Sequence, residues 1–345
     1  MPPQPASYID SLSKHAQFLL SYNVVDSACS SNFVVGSNNV SFYLHKTTFV
    51  SLVRANLNGI IQLIRYRPIC LFWHSPTFLP VFLFARFLNI PIFMYIGVSL
   101  SKETGYLSSF SIRILRFMSR YSNTVFCRGN ATFKLLKKAN VNAVISQPIL
   151  AFSNQDIDQS IVRQPLSFTS TISILYVGKP IQAKGFDQLL QNLSTFLDQY
   201  DCSISLFVAG DSSLLSNNAR TTLNMLQRKY CFTFQLLGFI GNPSVISSIY
   251  ASTQILVVPS LLSEGYPRVL DEAAIFSLPV LVSLNISECL STPLHSSLYL
   301  YNPLSDESFA LALKSLVFSY SIPEKSGFSI PSAAHQHLEV IKLSI

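Results

Sequence analysis

The chain has 345 residues, a formal net charge of +7, 49% apolar residues and only 12% charged residues. This length suits two domains of ordinary size and excludes a marginal miniprotein. Its six cysteines are scattered with no Cys-x-x-Cys pair, which indicates free thiols in a reducing compartment. Polar and proline residues interrupt the most apolar stretch, residues 69–100, so no membrane-spanning helix is predicted. We predict no signal peptide after Met1 and expect a cytoplasmic protein.

Helical and strand patterns alternate along the first half of the chain. Helices are predicted at residues 8–24, 49–66, 82–88 and 131–139, and strands at residues 32–35, 40–44, 69–73, 91–96 and 124–127. This order is compatible with an α/β domain that begins with a helix.

A basic segment follows. Residues 102–138 contain eight Lys or Arg and one acidic residue, and within a helical pattern at residues 106–121 the side chains of Arg113, Arg116 and Arg120 share a face. The apolar side of this helix is predicted to comprise Ile112, Ile114, Leu115, Phe117 and Met118. A basic amphipathic helix can dock on anionic lipid or attract an anionic acceptor, and an ordinary solvated basic face is the alternative. No motif or aromatic–basic platform indicates nucleic acid.

The second half of the chain alternates more regularly. Strands are predicted at residues 172–177, 205–209, 232–237, 255–258, 279–283 and 299–302, with helices at residues 189–197, 214–229, 243–250, 267–274 and 306–317. A last helix is predicted at residues 332–344. Such alternation implies a parallel, doubly wound sheet, whose ligands bind beyond the carboxyl ends of the strands.

A glycine–lysine loop follows the first of these strands. Gly178 permits a tight turn there, and Lys179 and Lys184 flank the loop as point charges that can reach a diphosphate. Neither a Gly-x-Gly-x-x-Gly fingerprint nor a Walker A spacing is present. A solvated surface lysine remains the alternative for Lys184.

Two glutamates eight positions apart mark the next candidate site. Glu264 lies in the loop after the strand at residues 255–258, and Glu272 lies inside the helix that Pro267 opens. A helix N-terminus suits a phosphate, and carboxylates on either side can accept hydrogen bonds from sugar hydroxyls. The pattern therefore outlines a nucleotide-sugar site, although acidic residues are favoured in any first helical turn.

Taken in order, these motifs resemble the donor domain of retaining GT-B glycosyltransferases, family 4 in particular. The resemblance covers residues 170–315. The segments that carry it are Val177-Gly178-Lys179 with Lys184-Gly185, Val208-Ala209-Gly210-Asp211, Leu237-Gly238-Phe239, and Val258-Pro259-Ser260 leading to Glu264-Gly265-Tyr266-Pro267 and Glu272-Ala273. The two glutamates have the E-x7-E spacing of that family. The implied fold is GT-B, an α/β fold of two Rossmann-like doubly wound domains facing a cleft.

The resemblance also implies roles for single residues. Lys179, which stands where arginine is more usual, and Lys184 would bind the donor diphosphate. Glu264 would contact the hydroxyls of the donor sugar, and Glu272 those of the ribose. The remaining donor-binding positions are Gly178, Gly238, Phe239, Gly265, Tyr266, Pro267 and Arg268, of which Gly238 and Phe239 would border the base. The family uses a nucleotide-sugar donor, here UDP- or GDP-linked, transfers the sugar with retention and needs no metal.

The N-terminal half departs from the family pattern. The family domain opens with a strand and a glycine-rich loop, whereas this chain is expected to begin at the first helix, with a shortened N-terminus that lacks this strand. Tyr95-Ile96-Gly97 also replaces the usual His-Gly of the family. His74 is the candidate that remains for the acceptor side, with a structural or supporting histidine as the alternative.

The expected organisation is an acceptor domain at residues 1–165, a donor domain at residues 166–328 and a helix at residues 329–345 that packs back on the first domain. The leading hypothesis is a hexosyltransferase for a glycan or polyprenyl-linked acceptor, in surface polysaccharide or glycolipid biosynthesis, at the inner face of a membrane. The alternative is a non-catalytic nucleotide-sugar-binding or scaffold homologue.

Overall fold

The structure is a computed structural model. It describes residues 18–24, 40–46, 71–73, 79–96, 109–146, 166–262, 266–289 and 298–319, with eight helical positions between residues 53 and 64. Two compact units divide the chain: an N-terminal unit of residues 1–149 with 331–345, and a C-terminal unit of residues 150–330. The predicted boundaries at residues 165 and 328 stay predictions, and the predicted helix at residues 332–344 lies outside the described residues.

All described strands of the N-terminal unit pair in parallel. Strands β1 (Phe18–Val24) and β2 (Val40–Lys46) form one pair, and four further strands form a sheet in chain order. These are β3 (Leu71–Trp73), β4 (Ile92–Ile96), β5 (Thr124–Cys127) and β6 (Ala143–Ile145). The helices are α1 (Leu79–Phe87), α2 (Ser109–Arg120) and α3 (Asn130–Lys138). The unit is therefore α/β, as predicted.

The predicted helix at residues 8–24 is wrong where it can be compared. Residues 18–24 form β1, while residues 8–17 lie outside the described residues. A short apolar run such as Phe18-Leu19-Leu20 cannot be assigned by periodicity alone, because a buried strand and a buried helix segment read alike. Parallel pairing with β2 is a long-range contact that local sequence does not contain.

The C-terminal unit holds one six-stranded parallel sheet. Its strands are β7 (Ile172–Val177), β8 (Ile204–Ala209), β9 (Phe232–Gly238), β10 (Ile255–Val258), β11 (Val280–Ser283) and β12 (Leu298–Tyr301). Its helices are α4 (Phe186–Gln199), α5 (Asn217–Lys229), α6 (Pro243–Ser252), α7 (Arg268–Ile275) and α8 (Asp306–Ser319). The spatial order is β12-β11-β10-β7-β8-β9.

Helices cover both faces of this sheet. Along β7, Ile174 and Tyr176 join the buried cluster that includes the apolar residues of α4, α5 and α8, whereas Leu175 joins the cluster of α6 and α7. Helices thus shield both faces of the sheet from water. This explains why β10 is a continuous apolar run with all four residues buried. The unit is doubly wound. Among the described residues, no helix is long and apolar enough to cross a bilayer.

Candidate functional site

The strand order creates a switch point in the C-terminal unit. From β7 the chain moves outward to β8 and β9, then returns to the other side of β7 to form β10. The connections after β7 and β10 therefore lead to helices on opposite faces of the sheet, α4 and α7, and in open α/β sheets this divergence forms a crevice at the carboxyl ends of the two strands. In open α/β sheets this crevice is where ligands bind. The glycine–lysine loop and the loop before α7 both begin there.

Two glycines allow the loops at this edge to touch. A Cβ on Gly185, which has φ +72°, would lie 1.9 Å from the carbonyl oxygen of Pro259. A Cβ on Gly210 would lie 1.9 Å from the carbonyl oxygen of Gly178. Both distances are far below contact, so only glycine permits the approach at either position. The loops after β7, β8 and β10 are thus in direct contact.

Hydrogen bonds hold the glycine–lysine loop, residues 178–185, and one of them comes from the strand that precedes it. The hydroxyl of Tyr176 donates to the carbonyl oxygen of Lys179 over 2.6 Å, and the backbone N–H of Lys184 donates to Ile181 over 3.0 Å. Lys179 is exposed and Lys184 is half-buried. Both predicted diphosphate ligands therefore lie on one ordered loop at the switch point.

Asp211 adds a negative group near Lys179. The hydroxyl and backbone N–H of Ser213 hold the pKa of Asp211 below its ordinary value, and the positive charge of Lys179 contributes to the same direction. Asp211 is therefore ionised at neutral pH and offsets part of the charge of Lys179.

Hydrogen bonds to two other segments hold the loop that follows β10. The N–H of Leu261 donates to the carbonyl oxygen of Ala183 over 3.3 Å. From beyond β11, Asn285 Nδ2 donates to the carbonyl oxygens of Leu261 over 2.9 Å and Ser260 over 3.4 Å. The structure thus holds the segment that leads into Glu264 and Gly265. Those two predicted residues lie outside the described residues.

Helix α7 begins on the far side of this loop. Pro267 occupies the N-cap position, and within the part of the chain that the structure describes no side chain caps this end. Tyr266 is buried and donates its hydroxyl to Asp271 Oδ1 over 3.0 Å, which fixes the entry into the helix. The end of α7 therefore presents backbone N–H groups and partial positive charge.

Glu272 is buried one turn inside α7, with 1% of its surface exposed. Its Oε1 lies 2.8 Å from Nε of Arg268, and its Oε2 accepts a hydrogen bond of 2.8 Å from the hydroxyl of Tyr250. Burial, together with the charge of Glu272, raises the pKa of Tyr250 well above its ordinary value, so this phenol remains a donor. The predicted ribose ligand is thus a carboxylate held from two elements.

The predicted base-binding residues end β9, two strands from β7. Gly238 has φ +70°, and Phe239 is 79% exposed. An aromatic ring so exposed after a strand end is available for stacking. Gly238 and Phe239 lie on the same sheet edge as the lysine loop.

The N-terminal candidates are less fully described. His74 and Gly97 lie outside the described residues. In α2, Arg113, Arg116 and Arg120 are exposed as predicted, and Leu115 and Met118 are buried. The assignment of Phe117 to the apolar side is wrong, because its ring is 43% exposed and packs against Tyr121, with centroids 4.8 Å apart. The basic face therefore carries aromatic side chains as well.

Sequence reasoning missed three supporting residues: Tyr176, Tyr250 and Asn285. Tyr176 and Asn285 each donate a hydrogen bond to a backbone carbonyl oxygen of a loop at the site. Tyr250 donates to Glu272, which belongs to another helix. In the sequence, Tyr250 has the pattern of an ordinary helix residue, and Asn285 lies in the short segment after β11. No local signal identifies them.

Comparisons with known proteins show similarity to one sequence family and to solved structures of the same fold. Residues 171–318 match the family described as Glycosyl transferases group 1. Sucrose-phosphate synthase from Thermosynechococcus elongatus superposes with a TM-score of 0.73 at 13% identity, covering 98% of this chain and 92% of that one. HepE from Anabaena, solved with UDP and glucose, gives 0.65 at 13% identity, covering 100% and 92%.

A third similar structure is the apo form of the lipopolysaccharide outer core galactosyltransferase WaaB, with a TM-score of 0.62 at 15% identity, covering 89% of this chain and 85% of that one. No curated protein matches the sequence. At these identities the likeness establishes the fold. The fold is GT-B, with two Rossmann-like domains, and the match to the glycosyl transferases group 1 family lies within its C-terminal unit. The predicted fold class is confirmed.

Proposed function

We propose that this protein transfers a sugar, with retention, from a nucleotide-diphosphate sugar to a glycan or lipid-linked acceptor. The observation that carries the proposal is the switch point: the strand that precedes Lys179 and Lys184 is the neighbour of the strand that leads to α7, whose first turn has no side-chain cap among the described residues, in a domain matched to glycosyltransferase group 1. A diphosphate needs such a convergence of cations and N–H groups.

Each part of the donor has a proposed partner. Lys179, Lys184 and the backbone from Gly265 to Arg268 hold the diphosphate, with Gly178 allowing close approach. Glu272 accepts the ribose hydroxyls, and Phe239, after Gly238, stacks on the base. Glu264 contacts the donor sugar. Similar structures support this assignment, since HepE was solved with UDP and glucose and a trehalose-6-phosphate protein from E. coli with UDP-2-fluoro glucose.

We propose that catalysis is mainly electrostatic. As the bond between the anomeric carbon and the diphosphate oxygen breaks, the leaving group gains negative charge and the sugar becomes cation-like. The two lysines and the dipole of α7 stabilise the leaving group without a metal ion. Lysine at position 179 is a point charge and not a bidentate fork, so its grip on the phosphate is less directional than that of an arginine.

We propose that the acceptor is anionic or membrane-linked, with His74 on the acceptor side. The exposed Arg113, Arg116 and Arg120 on α2, together with the exposed rings of Phe117 and Tyr121, suit the surface of an anionic membrane. Reversible attachment to the cytosolic face, in surface polysaccharide or glycolipid biosynthesis, would follow. Full recovery in the soluble fraction of a low-salt lysate would contradict the membrane part.

Thermal-shift assays and calorimetric titration with UDP, GDP, ADP and their sugar conjugates test the proposal. Micromolar binding of one nucleotide, lost in Lys184→Ala and weakened but still measurable in Glu272→Gln, is the expected result. Lys229→Ala is the matched control, since this exposed lysine ends α5 at the opposite edge of the sheet and pairs with Asp198. Absence of binding to any nucleotide would overturn the donor site, and binding without transfer would favour the scaffold alternative.

A further inference from the structure

Two donors from different elements hold the carboxylate of Glu272. Arg268 lies one turn earlier on the same helix, α7. Tyr250 belongs to α6, which lies before β10 in the chain, and reaches Glu272 across 22 positions. Both contacts are 2.8 Å long, and each engages a different oxygen. Rotation of the carboxylate would break both contacts together, so its orientation is determined.

The position of Tyr250 is itself rigid. The residue is fully buried, and its ring lies parallel to that of Phe276, with centroids 5.8 Å apart and an interplanar angle of 3°. Ile246 and Leu270 belong to the same buried cluster. The hydroxyl therefore cannot move without breaking this packing, and it donates its hydrogen bond in one fixed direction, toward Glu272 Oε2.

The position of Arg268 does not favour the stability of α7, but it suits the binding of an anionic ligand. Arg268 begins α7, where the helix dipole disfavours a cation, and an Arg four positions before a Glu is the weaker order for such a pair. In return, its charge offsets that of Glu272, which would otherwise repel an anionic nucleotide. A cation at a helix N-terminus departs from local preference, and such departures are expected at functional sites.

Only 1% of the surface of Glu272 is exposed, so a ligand can meet only a small part of this side chain. A carboxylate has about four acceptor positions, so Glu272 can accept hydrogen bonds from the protein and from a ligand together. With so little exposure, the orientation of the carboxylate decides whether an oxygen meets an incoming hydroxyl.

We infer that Tyr250 is a positioning residue that orients Glu272 toward the ribose hydroxyls of the nucleotide, so that Tyr250 sets the preference for ribose over deoxyribose. The inference rests on the proposed function and adds to it a residue from outside the glutamate motif. Tyr250 acts through Glu272 and does not touch the nucleotide.

Calorimetry with UDP and GDP and with their 2′-deoxy and 3′-deoxy analogues tests the inference. For whichever nucleotide binds, we expect the wild type to prefer the ribonucleotide over at least one of its two deoxy analogues by about tenfold or more, as for a hydrogen bond to a charged group. Tyr250→Phe should reduce that preference to about threefold or less, mainly by weakening the ribonucleotide.

Tyr301→Phe is the matched control. Tyr301 is equally buried in the same unit, and its hydroxyl has no hydrogen-bond partner among the described residues. Its removal should leave the preference unchanged. In a Glu272→Gln background the effect of Tyr250→Phe on the preference should vanish, because the two residues act as one unit. Should Tyr250→Phe fail to fold, Phe276→Leu loosens the same ring and should lower the same ratio.

The outcomes separate the inference from the proposed function. A Tyr250→Phe protein that keeps the wild-type ratio, or that loses ribo- and deoxyribonucleotide affinity equally, overturns the positioning role and leaves the donor site standing. A wild type that binds the nucleotide without a ribose preference also overturns the inference alone. A wild type that binds no nucleotide overturns the proposed function and the inference with it.

Discussion

The carboxyl edges of the two sheets differ in how they use their buried polar groups. In the N-terminal unit, Arg128 is buried and donates from Nη1 to the carbonyl oxygen of Ser146 over 2.5 Å, joining the ends of β5 and β6. Burial raises the pKa of the neighbouring Cys127 to about 12, which leaves its thiol unreactive at neutral pH. These groups stabilise strand ends.

In the C-terminal unit the corresponding edge is arranged around a crevice. Gly185 and Gly210 let three loops touch, and Glu272 is a buried carboxylate whose partners reach it from two helices. A buried ion pair is costly to desolvate and is weak evidence for stability. The comparison teaches that the buried charge near the switch point suits the proposed donor site, whereas the proposed membrane contact of the N-terminal unit lies on the exposed face of α2.

The largest expected effect is on turnover. Lys184→Ala and Glu264→Ala should each lower kcat/KM by about two to three orders of magnitude, because each removes a group that stabilises the transition state, at about 3 kcal/mol. The rate of sugar transfer measured with the donor that binds checks this. Rates like the wild type in both variants would contradict the site assignment, and Lys229→Ala should retain full activity.

The N-terminal surface should respond to membrane charge instead. Replacing Arg113, Arg116 and Arg120 by Gln should weaken binding to vesicles containing phosphatidylserine about 100-fold, at roughly 1 kcal/mol for each cation. Nucleotide affinity should not change. Sedimentation with vesicles of increasing phosphatidylserine content checks this.

A triple variant in α5, with Gln at positions 220, 228 and 229, matches this charge change in the other unit. Equal loss of vesicle binding in both triple variants would show that net charge, and not the face of α2, attracts the membrane.

The close contact between the loops that contain Gly185 and Pro259 should affect the free energy of unfolding. Gly185→Ala should lower the free energy of unfolding by more than about 2 kcal/mol, because the new Cβ meets Pro259 and the residue has a positive φ. Gly238→Ala is the control, since Gly238 has nearly the same φ and nothing within 4 Å of a new Cβ. It should cost only about 1 kcal/mol, the conformational part. Urea denaturation of both variants measures the difference, and equal losses would exclude a steric contribution.

The smallest expected effect comes from the edge opposite the site. The hydrogen bond from Lys229 holds the pKa of Asp198 below its ordinary value of 3.8. A lowered pKa in the folded state means that the pair stabilises the protein at pH values above that ordinary value, and that this contribution is lost as the pH falls through the folded pKa. Because the pair is exposed, the effect should be slight and should shrink with salt.

Thermal unfolding of the wild type and Asp198→Asn between about pH 2.5 and pH 6 checks the sign. The two melting temperatures should converge toward the acid end. A gap that widens there would contradict the assignment.

The sequence alone was sufficient for most of the C-terminal unit. Its strands and helices lie close to the predicted ranges, because strong period patterns and turn residues mark each one. In the N-terminal unit, β6 was not anticipated and residues 18–24 were assigned to a helix. A three-residue strand and an isolated apolar run contain too little periodicity to identify.

The identities and order of the candidate donor residues were readable from the sequence, because each motif spans a few neighbouring positions at a strand end. The sheet order, the contact of Gly185 with Pro259, and the hold of Tyr250 and Asn285 on their partners depended on tertiary structure. Such contacts join residues more than 20 positions apart, and their energy depends on packing that a local pattern does not record. Local chemistry determined which residues are candidates, and long-range packing decided which of them meet.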